Sequence, residues 1–217
     1  MTTTLNGSRS RAARLHLITR LELARHAVDL LHSKEQALQR ERARLDVHAD
    51  RARDVWERTA GEAATWLQRA RALGSTDELE VIVAEGPQPA EIVIDWQASM
   101  GITYPGDVRC TPAVQPALTA SAALAPTTRA HHRALDAAAT HAATRTALAR
   151  LDAELATTRR RRRAIGDRLV PRLEDELRAL ELDLDEQDRE EALRVRLAGG
   201  RQTSPRHTAN EHREVRT

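Results

Sequence analysis

The stretch TRRRRRAIGDRLVPRLEDELRALELDLDEQDREEALRVRLA, residues 158–198, restricts the fold more than any other part of the chain. Four leucines in it step by four, three and four residues, which places them on one stripe of an α-helix. They are Leu173, Leu177, Leu180 and Leu184. A narrow apolar stripe on an otherwise charged helix predicts a partner helix. Gly166 and Pro171 interrupt the run, and the missing donor of the proline predicts a kink near residues 167–171.

A second long helix is predicted near the N-terminus, where a heptad frame with alternating steps of four and three runs from residue 17 to residue 73. Only Glu35, Arg42 and Thr59 among its positions are not apolar. The pattern predicts a coiled-coil helix roughly 85 Å long. Its early seam consists of Leu17, Leu21, Val28, Leu31, Leu38 and Leu45, and later positions are mainly alanine. Trp56 and Trp66 fit packing residues better than a ligand site, because apolar residues at helical spacing are usually core.

The middle of the chain has a different pattern. Residues 80–85 and 91–97 are β-branched runs separated by a Gly/Pro turn, which predicts two short strands. A short extended piece is expected at 101–104 and a short helix at 117–124. Beyond it the long C-terminal helix is predicted, and Gly199 and Gly200 are expected to end it.

The spacing of the apolar seam changes along the C-terminal helix. Leu148, Leu151, Leu155, Ile165 and Leu169 lead into the Leu173 stripe through successive steps of four. Such a stutter predicts local unwinding of the supercoil.

The expected fold class is therefore all-α dominated, a long antiparallel two-helix coiled coil with a small mixed middle segment containing a β-hairpin. The predicted divisions are a flexible N-terminus at 1–10, an N-terminal helix at 11–74 and a middle segment at 75–126. A C-terminal helix at 127–198 and a disordered tail at 199–217 follow.

Composition supports a helical chain over a large globular core. The 217 residues include no Phe, one Tyr and three Trp, and 30% are charged. Lys and Arg number 34 against 32 Asp and Glu, a net charge of +2, which suits solvated helix faces better than a dedicated polyanion binder. One cysteine cannot form an internal disulfide. No run approaches the roughly 18 apolar residues of a membrane span, so a membrane role is expected only through partners.

No pattern of catalytic chemistry stands out. Residues 101–106 have glycines at P-loop spacing but continue with Asp107 where a lysine is needed. The histidines are scattered, and the carboxylates near Asp185 fit a solvated helix face. No catalytic, cofactor-binding or metal-binding residue is therefore predicted. Five consecutive arginines at 159–163 leave open a coiled-coil scaffold or nucleic-acid-associated protein. The near-neutral charge, the acidic stretch that follows and the scarcity of aromatics favour no nucleic-acid partner.

The two helices resemble the D subunit of V/A-type rotary ATPases. The resemblance rests on the arginine cluster, the segment LVPRLE at 169–174 and the segment DEQDREE at 185–191. Near the N-terminus, Ser10 and Arg11, then Leu21, Ala24, Leu30, Leu31 and Lys34, match the family pattern. Residues 101–105, GITYP, are similar to its Gly-Val-x-x-Pro signature. Glu35 and Gln36 stand where the family usually has a basic and an acidic residue.

This resemblance implies a non-catalytic central rotor shaft that couples ATP turnover in a catalytic head to movement of protons or sodium ions by a membrane ring. The implied partners are the catalytic-head A and B subunits, the small F subunit of the stalk and a ring-linking central-stalk subunit. Both chain ends would lie inside the head, with Arg168, Arg172 and Glu174 as candidate head contacts. The implied location is cytoplasmic, peripheral to the membrane and without direct membrane insertion.

Overall fold

A computed structural model describes residues 10–84, 89–112 and 122–202. Its elements in chain order are helix α1 (Arg11–Ala72), helix α2 (Thr76–Ala84), strand β1 (Glu91–Ser99), strand β2 (Ile102–Thr111), helix α3 (Leu124–Arg163), a π-helical stretch (Ala164–Leu169), here called the π segment, and helix α4 (Val170–Gln202). The predicted fold class is confirmed: long N- and C-terminal helices dominate, and an antiparallel hairpin lies in the middle of the chain.

The described chain divides into two compact units. Residues 10–28 and 164–202 form the terminal unit, in which α1 pairs with α4. Asp29–Arg163 forms the middle unit, in which α1 pairs with α3. In both units the contacts run in opposite directions along the two helices, because ion-pair partners of later α1 residues come earlier in the C-terminal helix. Arg14 binds Glu181 and Arg25 binds Glu174 in the terminal unit, and the middle unit follows the same order. Each helix pair is therefore antiparallel.

Each unit has a core that contains residues of the predicted seam together with others that were not predicted. In the middle unit this core consists of Leu38, Leu45, Tyr104, Ala147, Leu151 and Leu155. In the terminal unit it consists of Leu21, Ala24 and Leu173, with Leu17, Ile165, Val170 and Leu177 packed against it. Every buried residue of α1 occupies a position of the heptad frame, including the alanines from Ala49 to Ala70. The small alanine side chains let the helix backbones approach closely.

The C-terminus of α1 is set by Gly74. This glycine has φ +81°, a left-handed conformation that costs little without a Cβ. The Ser75 N–H donates to Ala70 O over 3.1 Å, and the Gly74 N–H donates to Arg71 O over 3.1 Å. These two bonds form a Schellman motif, which satisfies carbonyls that the helix end would otherwise leave unpaired.

The predicted strand at 80–85 is wrong. Its described residues belong to α2, which carries Asp77 and Glu78 in the first turn. Carboxylates there interact favourably with the positive end of the helix dipole. A short β-branched run cannot be distinguished from a helix by periodicity alone, and the acidic first turn decides in favour of the helix.

The hairpin is built from β1 and β2. The predicted strand at 91–97 is confirmed, but its partner is the segment after it, because Glu91 pairs with Thr111 and Ser99 with Ile102. The extended piece expected at 101–104 is the beginning of this longer second strand. Met100 (φ 51°) and Gly101 (φ 82°) form the two-residue connection, and positive φ at both positions matches the right-handed twist of the flanking strands.

The bounds of the second long helix differ from the prediction at both ends. Helix α3 begins at Leu124 and includes Pro126 in its first turn, where a missing N–H costs no helical hydrogen bond. Helix α4 continues through Gly199 and Gly200 to Gln202, because glycine weakens a helix by only about 1 kcal/mol per residue. The short helix predicted at 117–124 falls mainly on residues 113–121, outside the described residues.

The seam changes phase at the π segment, next to the predicted kink. The predicted seam position Leu169 is wrong: this side chain is 37% exposed, whereas Val170 packs against the terminal core. The seam thus steps by five from Ile165 to Val170, and the π segment accommodates the extra residue. Pro171 is the second residue after the segment and lacks the N–H that would continue a regular helix. The change in seam spacing is therefore accommodated within the six residues of the π segment.

Replacing Gly166 with alanine is expected to stabilise the protein. A Cβ at this position would lie 3.8 Å from Val28 Cγ2, an ordinary contact, and no positive φ opposes it. The gain should be about 0.5–1 kcal/mol in the free energy of unfolding, because alanine loses less backbone entropy than glycine. Thermal and chemical denaturation would measure it. Gly61→Ala in α1, where a Cβ meets no atom within 4 Å, is the matched control. A loss of stability at Gly166 alone would show that the π segment requires glycine.

Candidate functional site: an arginine-rich helix face and an anchored hairpin

Of the five arginines at the end of α3, two bind a buried glutamate of the middle unit and three are exposed to solvent. Arg159 Nε donates to Glu35 Oε1 over 2.7 Å, and Arg162 Nε donates to Glu35 Oε2 over 3.1 Å. Glu35 is only 8% exposed although it occupies a seam position of α1. The hydrogen bond from Arg159 holds the pKa of Glu35 below its ordinary value, with Arg162 acting in the same direction and burial opposing it. Two of the five arginines are therefore used within the chain.

The other three arginines, Arg160, Arg161 and Arg163, are exposed. Arg160 donates to Thr157 Oγ1 over 3.4 Å, and within residues 10–84, 89–112 and 122–202 none of the three forms an ion pair. A guanidinium presents several donors in a planar fork that suits a carboxylate. This face of α3 can therefore bind an acidic group on another molecule.

Ion pairs flank the apolar seams on the outside of both units. Lys34 binds Glu154 and Arg42 binds Asp152 in the middle unit, each over 2.7 Å. The corresponding pair in the terminal unit joins Arg25 to Glu174 over 2.7 Å. The terminal pair and Arg42–Asp152 are well exposed, so each contributes at most about 1 kcal/mol. Together the pairs specify the antiparallel register.

The predicted seam residues lie at different depths. Leu21, Leu38, Leu45 and Leu173 are buried, and Leu17, Val28, Leu31, Leu177, Leu180 and Leu184 are half-buried. Of the predicted head contacts, Arg168 is exposed on the π segment. Arg172 donates to Glu176 over 2.8 Å within α4, and Glu174 accepts a hydrogen bond from Arg25. Arg168 and Arg172 thus face solvent, while one carboxylate oxygen of Glu174 is already engaged.

Tyr104 anchors the hairpin to the middle core. Its side chain is 3% exposed, and its hydroxyl donates to Glu41 Oε1 over 2.7 Å. Burial raises the pKa of Tyr104, and the Glu41 carboxylate raises it further. Arg150 of α3 donates to Thr103 O over 2.8 Å, and its guanidinium lies 5.1 Å from the Trp96 ring centroid. The hairpin is therefore held to α1 through a hydroxyl and to α3 through an arginine.

The Glu41 carboxylate is held in turn by Arg44. Arg44 Nη2 donates to Glu41 Oε1 over 2.6 Å, and this hydrogen bond is the main cause of the lowered pKa of Glu41. The Tyr104 hydroxyl also lowers this pKa. Sequence reasoning missed the whole anchor. The signal available was that the chain's one tyrosine follows a turn glycine, but nothing local indicated its partner on α1.

Tyr104→Phe is expected to lower the free energy of unfolding by about 1–2 kcal/mol, because it removes a hydrogen bond to a charged group and keeps the buried ring. Denaturation of Tyr104→Phe, Glu41→Ala and the double variant would isolate the coupling. Additive effects of the two changes would contradict a direct hydroxyl–carboxylate interaction in solution.

The two remaining tryptophans lie along α1. The Trp56 ring stacks on His141 with 5.3 Å between ring centroids and 6° between planes. The backbone carbonyl of Trp66 accepts a hydrogen bond from Thr127 over 3.2 Å, and the Arg69 guanidinium lies over its ring. The Trp56 ring thus contacts α3, whereas the Trp66 ring contacts Arg69 of its own helix. Residues 101–106, which have P-loop glycine spacing, belong to the hairpin connection and β2.

None of the helices, over the residues that the structure describes, combines the length and the apolar character that crossing a bilayer requires.

Comparison with known proteins adds an independent observation. A model of the family described as the ATP synthase D subunit matches residues 14–199. A protein named as the D subunit of a V-type ATP synthase, from Thermus thermophilus, is 29% identical over 199 residues, which cover 87% of this chain and 86% of that protein. A protein of the same name from Anaeromyxobacter dehalogenans is 28% identical over 210 residues, which cover 91% of this chain and 99% of that protein. The matched range contains the hairpin and all but the first three residues of α1 and the last three of α4.

Proposed function

Because the chain belongs to the family of ATP synthase D subunits, we propose that it is the central-stalk rotor subunit of a V/A-type ATPase or ATP synthase. In this proposal it couples ATP hydrolysis or synthesis in a catalytic head to translocation of protons or sodium ions by a membrane ring. The chain is a subunit of a V-type ATP synthase, and its own role in catalysis is mechanical. Its location is cytoplasmic and peripheral to the membrane.

The observation that carries the proposal is that the helix pairs expose further leucines and arginines on their outer surfaces, although their seams are already packed with leucines. Leucines already occupy the seam between the paired helices, yet further leucines point away from it. In the terminal unit Leu15, Leu23 and Leu182 are all exposed, the last to 66%. Exposed leucines on a highly charged helix pair indicate a surface that another protein covers.

Exposed arginines supply polar groups on each of the two units. Arg160, Arg161 and Arg163 in the middle unit, and Arg168 and Arg172 in the terminal unit, can bind acidic loops of the catalytic-head A and B subunits. Glu174 would share its carboxylate between Arg25 and a head residue. Because these charges lie on particular helix faces, rotation presents different faces to each catalytic site. A rotor shifts a nucleotide equilibrium only through such differential contacts.

The other proposed partners follow from family membership. The small F subunit of the stalk packs beside the helix pair, and a ring-linking central-stalk subunit meets the middle of the chain. Neither nucleic acid nor lipid is a partner in this proposal. The unpaired arginines are the single observation that favours the alternative, a coiled-coil scaffold or nucleic-acid-associated protein.

Co-expression with the head and F-like subunits tests the proposal. One copy of the chain should elute with the head in size-exclusion chromatography and change its ATP turnover. Arg161→Glu should weaken this effect, whereas Arg145→Glu, at another exposed arginine of α3, serves as the matched control. Elution of the chain alone beside a normally formed head would contradict the proposal. Nucleic-acid binding would then be measured across a salt series, because phosphate contacts weaken steeply with salt.

A further inference from the structure

Strand β1 has an open edge that the described chain does not cover. The sheet has two strands, so β1 pairs with β2 on one side and with no strand of the described residues on the other. All of its residues from Glu91 to Ala98 are exposed. Four of them are large and apolar: Ile92, Val93, Ile94 and Trp96. An exposed apolar edge strand is a template for pairing with another extended chain.

The two strands differ sharply in how they are covered. In β2, Ile102 and Tyr104 pack against the middle core, and Thr103 O accepts a hydrogen bond from Arg150. In β1, by contrast, Trp96 is 54% exposed even with the Arg150 guanidinium over its ring. The hairpin is thus attached to the middle core through β2, and β1 is exposed to solvent. This arrangement keeps an edge in a fixed position without burying it.

The sequence around this edge is mainly acidic. Residues 72–108 contain seven Asp or Glu residues and no Lys, Arg or His. Glu91 and Asp95 lie on β1 itself and are exposed. Two cations are nearby: Arg109 on the paired strand lies 3.5 Å from Asp95, and the Arg150 guanidinium lies over the Trp96 ring. The helices on either side interleave both signs along their length. A partner that binds here therefore needs positive charge to complement the edge.

We propose that β1 is a docking edge at which an extended segment of another subunit, carrying alternating apolar and basic side chains, adds as a third strand. Backbone hydrogen bonds to the open edge would supply affinity, and its apolar side chains and two carboxylates would select the segment. A helix would cover only one face, whereas the exposed side chains lie on both faces of the strand. The inference rests on the proposed function in one respect, since it takes the partner to be a subunit of the same complex.

Hydrogen–deuterium exchange of the full chain tests the docking edge directly. The chain is compared alone and in the complex obtained by co-expression with its head, F-like and ring-linking subunits. Amides of β1 should exchange at least tenfold more slowly in the complex. The double variant Glu91→Lys/Asp95→Lys should reverse most of this slowing, while Asp136→Lys, at an exposed carboxylate of α3, should not.

A peptide measurement works without the complex. The probe is a ten-residue synthetic peptide alternating valine and lysine, compared with one alternating valine and glutamate. The basic peptide should slow exchange in β1, more weakly in high salt, and the acidic peptide should leave it unchanged. The inference would be overturned if both peptides slowed exchange equally or if neither slowed it.

Three further outcomes separate the alternatives. A complex that forms with β1 exchanging as in the free chain overturns the docking edge but leaves the proposed function standing. If no complex forms, the proposed function fails and the peptide result decides the inference. Slow exchange of β1 in the free chain also overturns it. Dependence of that protection on protein concentration would indicate a second copy, and independence would indicate a segment of the same chain.

Discussion

Leu177→Asp is expected to uncouple ATP hydrolysis from ion pumping in the assembled complex. Leu177 packs against the terminal core of Leu21, Ala24 and Leu173. A carboxylate placed in this apolar seam removes the leucine packing and loses part of its own hydration, which costs about 1–3 kcal/mol. The α1–α4 pair should therefore separate or shift, so that hydrolysis no longer drives the same rotation. Ion transport per ATP hydrolysed should fall several-fold in reconstituted vesicles, with nucleotide binding to the isolated head unchanged.

Ala179→Asp provides the control for Leu177→Asp. Ala179 is exposed and lies two residues away on another face of α4, so the same carboxylate can remain hydrated. This variant should keep both its melting temperature and its coupling ratio. Normal coupling in Leu177→Asp, despite a lowered melting temperature, would show that the terminal helix pair transmits no torque.

The sequence was most informative where one physical pattern repeated many times. The heptad frame of α1 locates all of its buried residues, because every turn of a paired helix poses the same packing problem. It also correctly indicated where the second helix is disturbed. It could not show the added residue, because Leu169 and Val170 are equally apolar neighbours. The structure shows it by exposing Leu169 and packing Val170.

Short elements were less predictable because tertiary contacts select among local alternatives. The run after Asp77 has β-branched residues that suit a strand and an acidic first turn that suits a helix, and the helix prevails. The hairpin instead uses Met100 and Gly101 as its connection. Its anchor depends on Tyr104 meeting Glu41, which lies 63 residues away in sequence. No local pattern contains that information.

The sequence predicted which residues make up the arginine cluster, but not which of their side chains bind within the chain and which face solvent. The five arginines are obvious in the sequence, and the structure shows that Arg159 and Arg162 are directed at Glu35. Glu35 is one of the few polar positions in the heptad frame. Its partners could have been suspected, because a carboxylate in a seam requires cations from the opposite helix. Which arginines meet it depends on the register of the two helices, and that register is a property of the pair.

Glu35→Lys is expected to lower the free energy of unfolding by about 3–5 kcal/mol, because it places a third cation beside two arginines at a poorly hydrated position. The Glu35 side chain is only 10% exposed, whereas those of Arg159 and Arg162 are 44% and 34% exposed. Glu35→Gln should cost less, about 1–3 kcal/mol, since the freed arginines can regain water. Urea denaturation followed by circular dichroism would measure both. Glu57→Lys, at a well-exposed glutamate of α1, should change stability by no more than about 0.5 kcal/mol.

The pH dependence of the same variants provides a second test of the Glu35 site. The folded-state pKa of Glu35 lies below its ordinary value of 4.5, so its ionised form stabilises the folded chain. That contribution is fully present above the ordinary value and is lost as the pH falls through the lowered folded-state pKa. The stability difference between the unmodified chain and Glu35→Gln should therefore be constant near neutral pH and shrink in acid below about pH 4.5. A difference that stays constant down to about pH 3 would show that Glu35 acts through its packing and not through its charge. The two arginines would then be as free as their three neighbours to bind an acidic partner.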